Sequence, residues 1–179
     1  LYSVLNLLNK PEVNIVTIED PIEYDINYVN QTQINPAAGI NFANGLRSFL
    51  RQDPNIIMVG EIRDPETAEV AVQAALTGHL VLSTLHTNDA TTSVPRLIDM
   101  DIPPFLVSAV LNAILAQRLV RKIHLECVES YEPDQATIAA IKGELKNIGL
   151  DPESVKIPKR LYRGRGCEVD GQTGYQGRM

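Results

Sequence analysis

The chain has 179 residues, 44% of them hydrophobic, which is enough for one well-buried domain with a small appendage and excludes disorder as the default state. A formal net charge of −6 argues against an extended basic surface for nucleic acid, although local basic patches stay open. No apolar run approaches the roughly 20 residues that span a bilayer, the first residues form no signal-type segment, and two cysteines cannot build a disulfide framework. The expectation is therefore a soluble chain in a reducing, cytosolic setting, with any membrane contact running through a partner.

Taken in order, short β-branched runs alternate with segments of helical period, the pattern of a largely parallel sheet covered by helices. Leu1 opens directly into helix-like sequence, and Met179 closes a Gly-rich turn, so the chain reads as a fragment. Strands are predicted at Asn14–Glu19, Thr32–Asn35, Ile56–Ile62 and Leu80–Leu85. The runs Ile56-Ile57-Met58-Val59 and Leu80-Val81-Leu82 are apolar on both faces and are expected in the middle of the sheet.

Helices are predicted at Asn44–Gln52, broken by Asp53-Pro54, and at Pro65–Leu76, with Pro65 suited to a first helical position and Gly78 to a stop. A longer helix is expected from Pro103-Pro104 to about Ile123, its closing Gln117, Arg118, Arg121 and Lys122 complementing the helix C-terminus. Beyond Ile123 the sequence turns polar, with one helix around Gln135–Lys146 and a Gly-rich tail. The expected division is a core over 1–123 and a small module over 124–179.

Four segments carry candidate chemistry. In Thr17-Ile18-Glu19-Asp20-Pro21-Ile22-Glu23-Tyr24, three carboxylates stand where a strand ends, the edge at which ligands gather in open α/β sheets. Asp20 and Glu23 read equally as turn and capping residues facing solvent. In Ile56-Ile57-Met58-Val59-Gly60-Glu61-Ile62-Arg63-Asp64, a buried strand delivers one carboxylate, Glu61, as a nucleoside triphosphatase does to hold Mg²⁺ or orient the attacking water, or else Glu61 is simply an acid emerging from a core strand.

The third segment, Gly78-His79-Leu80-Val81-Leu82-Ser83-Thr84-Leu85-His86-Thr87-Asn88, holds two histidines. Seven residues of strand separate them by roughly 23 Å, so they lie at opposite strand ends and share no ligand. His86 falls at the carboxyl edge, where a nucleotide would gather, although a lone histidine at a strand end is more often structural; His79 reads as structural or as reaching a different neighbour. Arg47 and Arg51 share one helix face and Arg63 follows Glu61 by two; guanidinium groups suit phosphate clamping, but such faces are as often simply solvated. Finally, His124-Leu125-Glu126-Cys127 and Cys167-Glu168-Val169-Asp170 have the two-residue spacing of a zinc knuckle, or else are two buried thiols with two surface residues.

In this order the segments resemble the secretion ATPases of the type II secretion and type IV pilus assembly family, a branch of the RecA-like P-loop motors. The resemblance covers essentially the whole chain. Thr17–Tyr24 resembles the family's Asp box, Ile56–Arg63 its Walker B strand and Gly78–Asn88 its His box; Leu46–Pro54 and Leu115–Val120 are similar to further signatures. The resemblance implies ATP and Mg²⁺ as ligands, with Glu61 activating water, Glu19 and Glu23 serving the Mg²⁺ and γ-phosphate region, and His86 sensing the γ-phosphate. It places Arg47, Arg51 and Arg63 in the nucleotide site or between subunits. It further implies a homohexameric ring on an inner-membrane platform protein, cytoplasmic and peripheral to the plasma membrane, powering pilus assembly or, alternatively, type II secretion.

The sequence departs from the family pattern at two places. The phosphate-cradling loop G-x-x-x-x-G-K-[ST] is absent from the 179 residues, so this fragment is expected to bind ATP poorly and not to turn it over. Many relatives carry C-x-x-C twice where this chain has His124 and Asp170 at the outer positions, leaving either a His, Cys, Cys, Asp zinc site or a decayed one. Pilus retraction motors usually lack this paired module, which favours assembly or secretion. A non-catalytic ring or scaffold subunit is the alternative from another class.

Overall fold

In the computed structural model, which describes residues 1–179, the chain divides into two units, Leu1–Gln117 and Arg118–Met179. The first is built from helix α1 (Tyr2–Leu8), strands β1 (Ile15–Glu19) and β2 (Val29–Gln33), helix α2 (Phe42–Phe49), strand β3 (Ile56–Val59), helix α3 (Pro65–Leu76), strand β4 (Leu80–Ser83) and helices α4 (Ser93–Asp99) and α5 (Pro104–Val110). The strands form one fully parallel sheet in the order β2-β1-β3-β4, with Ile18 level with Val59 and Val59 with Ser83. Every strand therefore ends at the same edge of the sheet.

Strand alternation gives the sheet two apolar faces. Val16, Ile18, Ile57 and Val59 pack with Leu46, Phe49, Ala68, Ala71 and Val107 from α2, α3 and α5. Ile15, Ile56 and Met58 pack with Leu5 of α1 on the other side. Burying a side chain the size of Ile57, which has no exposed surface, contributes roughly 1.5–3 kcal/mol. Helix α2 lies close against β1 because Gly45 faces Ile18: a Cβ there would stand 2.1 Å from Ile18 Cδ1. Two helices start where the sequence supplies caps, Asn41 accepting from the Asn44 N–H and Asp64 from the Thr67 N–H, both at 2.8 Å.

Several expectations need correction. Strand β4 lies at the edge of the sheet rather than its middle, and Leu80 is accordingly exposed. Strand β2 begins three residues earlier than predicted, at Val29, and α4 had no predicted counterpart. The long helix expected from Pro103 to Ile123 stops at Val110; Leu111 is extended. Beyond it, Val120 exchanges both backbone hydrogen bonds with Met179, and Arg121–Ile123 is strand β5. From Val120 to Ile123, pairing with a distant strand overrides the helix propensity of the residues that lead into it.

The second unit holds β5, a 3₁₀ turn at Leu125–Cys127, β6 (Val128–Tyr131), α6 (Gln135–Asn147), β7 (Leu161–Gly164) and β8 (Tyr175–Arg178). It contains two antiparallel ladders, β5 with β8 and β6 with β7. Its only buried residues are His124, Cys127 and Gly174, and α6 buries none. Gly164 and Gly174 bring two backbones together, since a Cβ on Gly174 would lie 2.4 Å from the Gly164 carbonyl oxygen. The Arg121 guanidinium stacks 4.2 Å from the Tyr175 ring centroid, a cation–π contact across the β5–β8 ladder.

Candidate functional site

The common strand edge gathers the charged groups of the first unit. After Val59 the chain passes Gly60, whose missing Cβ would come within 3.3 Å of the Ile18 carbonyl oxygen, and Glu61 follows. The exit of β4 runs alongside: Thr84 Oγ1 donates to the Gly60 carbonyl at 2.7 Å, and the Ile62 N–H donates to the Thr84 carbonyl at 3.0 Å. These bonds carry His86 to Glu61. The Glu61 carboxylate accepts from His86 Nε2 at 2.7 Å and pairs with Arg63 Nε at 2.6 Å, all at Oε2.

Glu61 is 8% exposed, whereas the His86 and Arg63 side chains stand open to solvent. Burial pushes the Glu61 carboxyl up, but the hydrogen bonds and charges of His86 and Arg63 outweigh it and hold the group below its ordinary value. The site thus presents an ionised carboxylate flanked by two solvent-facing nitrogen donors. Beyond His86, an open cleft of about 600 Å³ is lined by Thr87, Asn88, Thr92, Arg96 and Asp99. Its wall is ordered by Asp89, which accepts from Thr91 Oγ1 and the Thr92 N–H, bonds that keep its carboxyl below the usual range.

Glu19, the last residue of β1, is 3% exposed. Its Oε1 accepts from Thr17 Oγ1 at 2.5 Å and Gln31 Nε2 at 3.0 Å, and its Oε2 accepts from the Tyr2 hydroxyl. Glu23 is exposed, its N–H held by the Tyr2 oxygen at 3.2 Å. Arg47 pairs with Glu66 of α3 at 2.8 Å and Arg51 lies 3.4 Å from Ser48 Oγ, so their bonds run among the helices rather than to Glu61. His79 precedes β4 at the opposite end, where its Nδ1 lies 2.9 Å from the Ala74 carbonyl at the end of α3.

Sequence reasoning missed Tyr2, Thr17 and Gln31. Thr17 was within reach, because residues two apart on a strand share a face. Tyr2 and Gln31 arrive from other elements, and only the topology shows them.

In the second unit His124, Cys127, Cys167 and Asp170 offer ligand atoms that all lie within 4.8 Å of one another. His124 Nδ1 is 3.2 Å from Asp170 Oδ2, 3.7 Å from Cys127 Sγ and 3.3 Å from Cys167 Sγ; Asp170 Oδ2 is 3.0 Å from Cys127 Sγ and 3.3 Å from Cys167 Sγ. The other Asp170 oxygen accepts from the Cys167 and Gly174 N–H groups, at 3.1 Å each, which fixes the carboxylate. The Cys127 thiol and these N–H groups hold Asp170 well below the usual carboxylate range, while the same thiol bond, then burial, pushes Cys127 up.

A sequence profile described as Type II/IV secretion system protein matches residues 1–179. The chain belongs to this family. Within the Type II/IV secretion system family it is 52% identical over 177 residues to the type IV pilus assembly ATPase PilB of Thermus thermophilus, covering 99% of this chain and 19% of that protein. It is also 52% identical over 178 residues to type II secretion system protein E of Pseudomonas aeruginosa, covering 99% of this chain and 34% of that protein. The chain thus spans about a fifth to a third of these relatives' lengths. Among solved structures, the pilus retraction motor PilT with bound ADP superposes with a TM-score of 0.61 at 41% identity, over 68% of this chain and 38% of that one. The parallel sheet with flanking helices is therefore the fold of a secretion-family ATPase.

Proposed function

We propose that this chain is the catalytic segment of an ATP-hydrolysing motor that powers type IV pilus assembly. It would consist of a RecA-like core over 1–117 and a small metal-bearing module over 118–179, the boundary falling six residues before the one expected at 123 because β5 pairs with β8. The observation that carries the reading is Glu61: a buried carboxylate at the end of an interior strand, held at Oε2 by His86 and Arg63, beside the strand that ends in Glu19. Phosphoryl transfer asks a protein for positioning and charge stabilisation more than for covalent chemistry. Mg²⁺, bound with the triphosphate, neutralises charge on the phosphoryl oxygens.

Glu61 accepts a hydrogen bond from the attacking water and orients it, while Glu19 and Glu23 are the carboxylates that would serve Mg²⁺. His86 and Arg63, which face solvent, exchange part of their bonding to Glu61 for the γ-phosphate when it arrives. That exchange raises the basicity of Glu61 at the moment a proton must be taken. Arg47 and Arg51 are assigned to the nucleotide site or to a neighbouring subunit of a homohexamer. The ring works from the cytoplasmic side on an inner-membrane platform protein. No helix is long and apolar enough to cross a membrane.

The activity is that of a protein of the relatives' length. The 179 residues by themselves, which contain no G-x-x-x-x-G-K-[ST] loop, are proposed not to turn over ATP. Type II secretion is the second reading, favoured by the equal 52% identity to a protein of each kind.

The four-residue cluster fits zinc. Tetrahedral coordination with metal–ligand bonds near 2.0–2.3 Å puts ligand atoms about 3.3–3.8 Å apart, and the five separations of 3.0–3.7 Å lie close to that range. His124, Cys127, Cys167 and Asp170 would hold the ion, which would tie the β5 and β8 ends of the module together.

The test of the motor reading is Mg²⁺-dependent phosphate release by the full-length protein beside its Glu61→Gln variant. The expected loss is at least about 100-fold, the scale of a missing general base. Undiminished release from the variant would remove Glu61 from the chemistry. No release from an intact, folded hexamer would favour a scaffold subunit instead.

A further inference from the structure

Glu19 is almost fully buried, yet every partner on its carboxylate is a neutral donor. Burying an ionised group is costly unless its bonds are built in advance, and here they come from three elements: Tyr2 of α1, Thr17 of β1 and Gln31 of β2. Two of these donors do more than satisfy the carboxylate. The Tyr2 hydroxyl donates to Glu19 Oε2 and accepts from the Glu23 N–H. The Gln31 amide donates to Glu19 Oε1 and to the Tyr24 carbonyl at 3.3 Å, while its oxygen accepts from the Ile26 N–H at 2.7 Å.

Each side chain therefore ties the Glu19 carboxylate to the backbone of the segment that carries Glu23. The rings of Tyr2 and Tyr24 stack with centroids 4.5 Å apart, which holds the segment over the strand end. If these residues only filled space, phenylalanine and methionine would serve as well. The two-sided bonding is what a phenol and a carboxamide add. Burial and the bond to Glu19 also raise the Tyr2 pKa, so its hydroxyl remains a donor at neutral pH.

We infer that Tyr2 and Gln31 are positioning residues that fix the Glu19 carboxylate and the Glu23 segment relative to each other, and so set the geometry in which this corner would face a Mg²⁺–triphosphate. The inference rests on the motor reading above. It makes the α1–β1–β2 corner a tuned support for the metal side of the site, distinct from the His86–Arg63 clamp on Glu61.

The experiment compares full-length protein with Tyr2→Phe, which keeps the ring stack, and Gln31→Met, which keeps the volume. The Mg²⁺ concentration for half-maximal phosphate release should rise about ten-fold in each, the size expected for one lost hydrogen bond to a charged group. The lost bond to a buried carboxylate should also lower the melting temperature by a few degrees, so both metal readouts are taken at a temperature where each variant is fully folded. Binding of Mn²⁺ in the presence of a non-hydrolysable ATP analogue, followed by electron paramagnetic resonance, should weaken by the same factor without any turnover. If both metal readouts are unchanged while Glu61→Gln still abolishes release, the positioning role is wrong and the motor reading stands. A lowered melting temperature with an unchanged metal requirement would likewise reduce Tyr2 and Gln31 to structural residues. Absence of release from the unmodified protein overturns both readings.

Discussion

The two units of this chain are ordered by opposite means. Leu1–Gln117 covers a parallel sheet on both faces with apolar side chains, and its polar residues collect at one edge of that sheet. Arg118–Met179 has short ladders, a helix with no buried residue, and an interior that consists of His124, Cys127 and Gly174. In the first unit polar groups are added to a core. In the second they are the core, as expected for a segment too small to gain much from apolar burial.

The strongest way to break this comparison is to take away the zinc proposed for the second unit. Chelation, or Cys127→Ala, should abolish the structure of Arg118–Met179, because structural zinc supplies about 10–16 kcal/mol to small modules of this kind. Hydrogen exchange would show it: the amides of His124, Cys127 and Arg165, now bonded to backbone carbonyls, should lose protection while those of β1 and β3 keep theirs. Metal analysis of protein purified without chelator should find about one zinc per chain. Protection that survives chelation, or protein with no metal, would mean the module stands on its ladders alone.

The converse perturbation is Ile57→Ala. Ile57 has no exposed surface and lies in the interior strand, so its truncation should cost the first unit about 2–5 kcal/mol. Urea unfolding monitored in both units should show the loss in the first alone. An equal loss in the second would mean the two fold as one cooperative body.

The same contrast explains what could be read without coordinates. Helix α3 was legible to the residue because Pro65, Gly78 and the apolar period all point the same way. Strands β1 and β3 were legible because buried parallel strands are continuous apolar runs. Strand β4 looks the same in sequence as β3, and nothing local says that one lies inside and the other at the edge. The stretch from Val120 to Ile123 defeats a local reading because its fate is decided by Met179 and β8, far along the chain.

The site divides similarly. Glu61 and His86 follow from strand ends, and the structure joins them. The four second-unit residues follow from paired spacing, and the structure gathers them. The Tyr2 and Gln31 bonds to Glu19 join distant segments and leave no local signature.

The smallest effect sharpens the comparison most, because it concerns a polar cluster in the unit that does not depend on one. Glu61 has a lowered pKa when folded, so its pairing with His86 and Arg63 stabilises the first unit above its ordinary value of 4.5 and is lost as pH falls through the folded value. Both partners are largely exposed, and solvent screens them. At pH 7, Glu61→Gln should therefore change stability by no more than about 1 kcal/mol, even as it removes activity. Between pH 7 and 3.5 the variant's urea midpoint should fall less steeply than that of the unmodified protein. A variant that unfolds at neutral pH would make Glu61 part of the scaffold, and the strand edge would then be organised like the second unit after all. A variant that stays folded leaves the edge free to spend its ion pairs on the phosphate, which is what the proposed exchange at His86 and Arg63 requires.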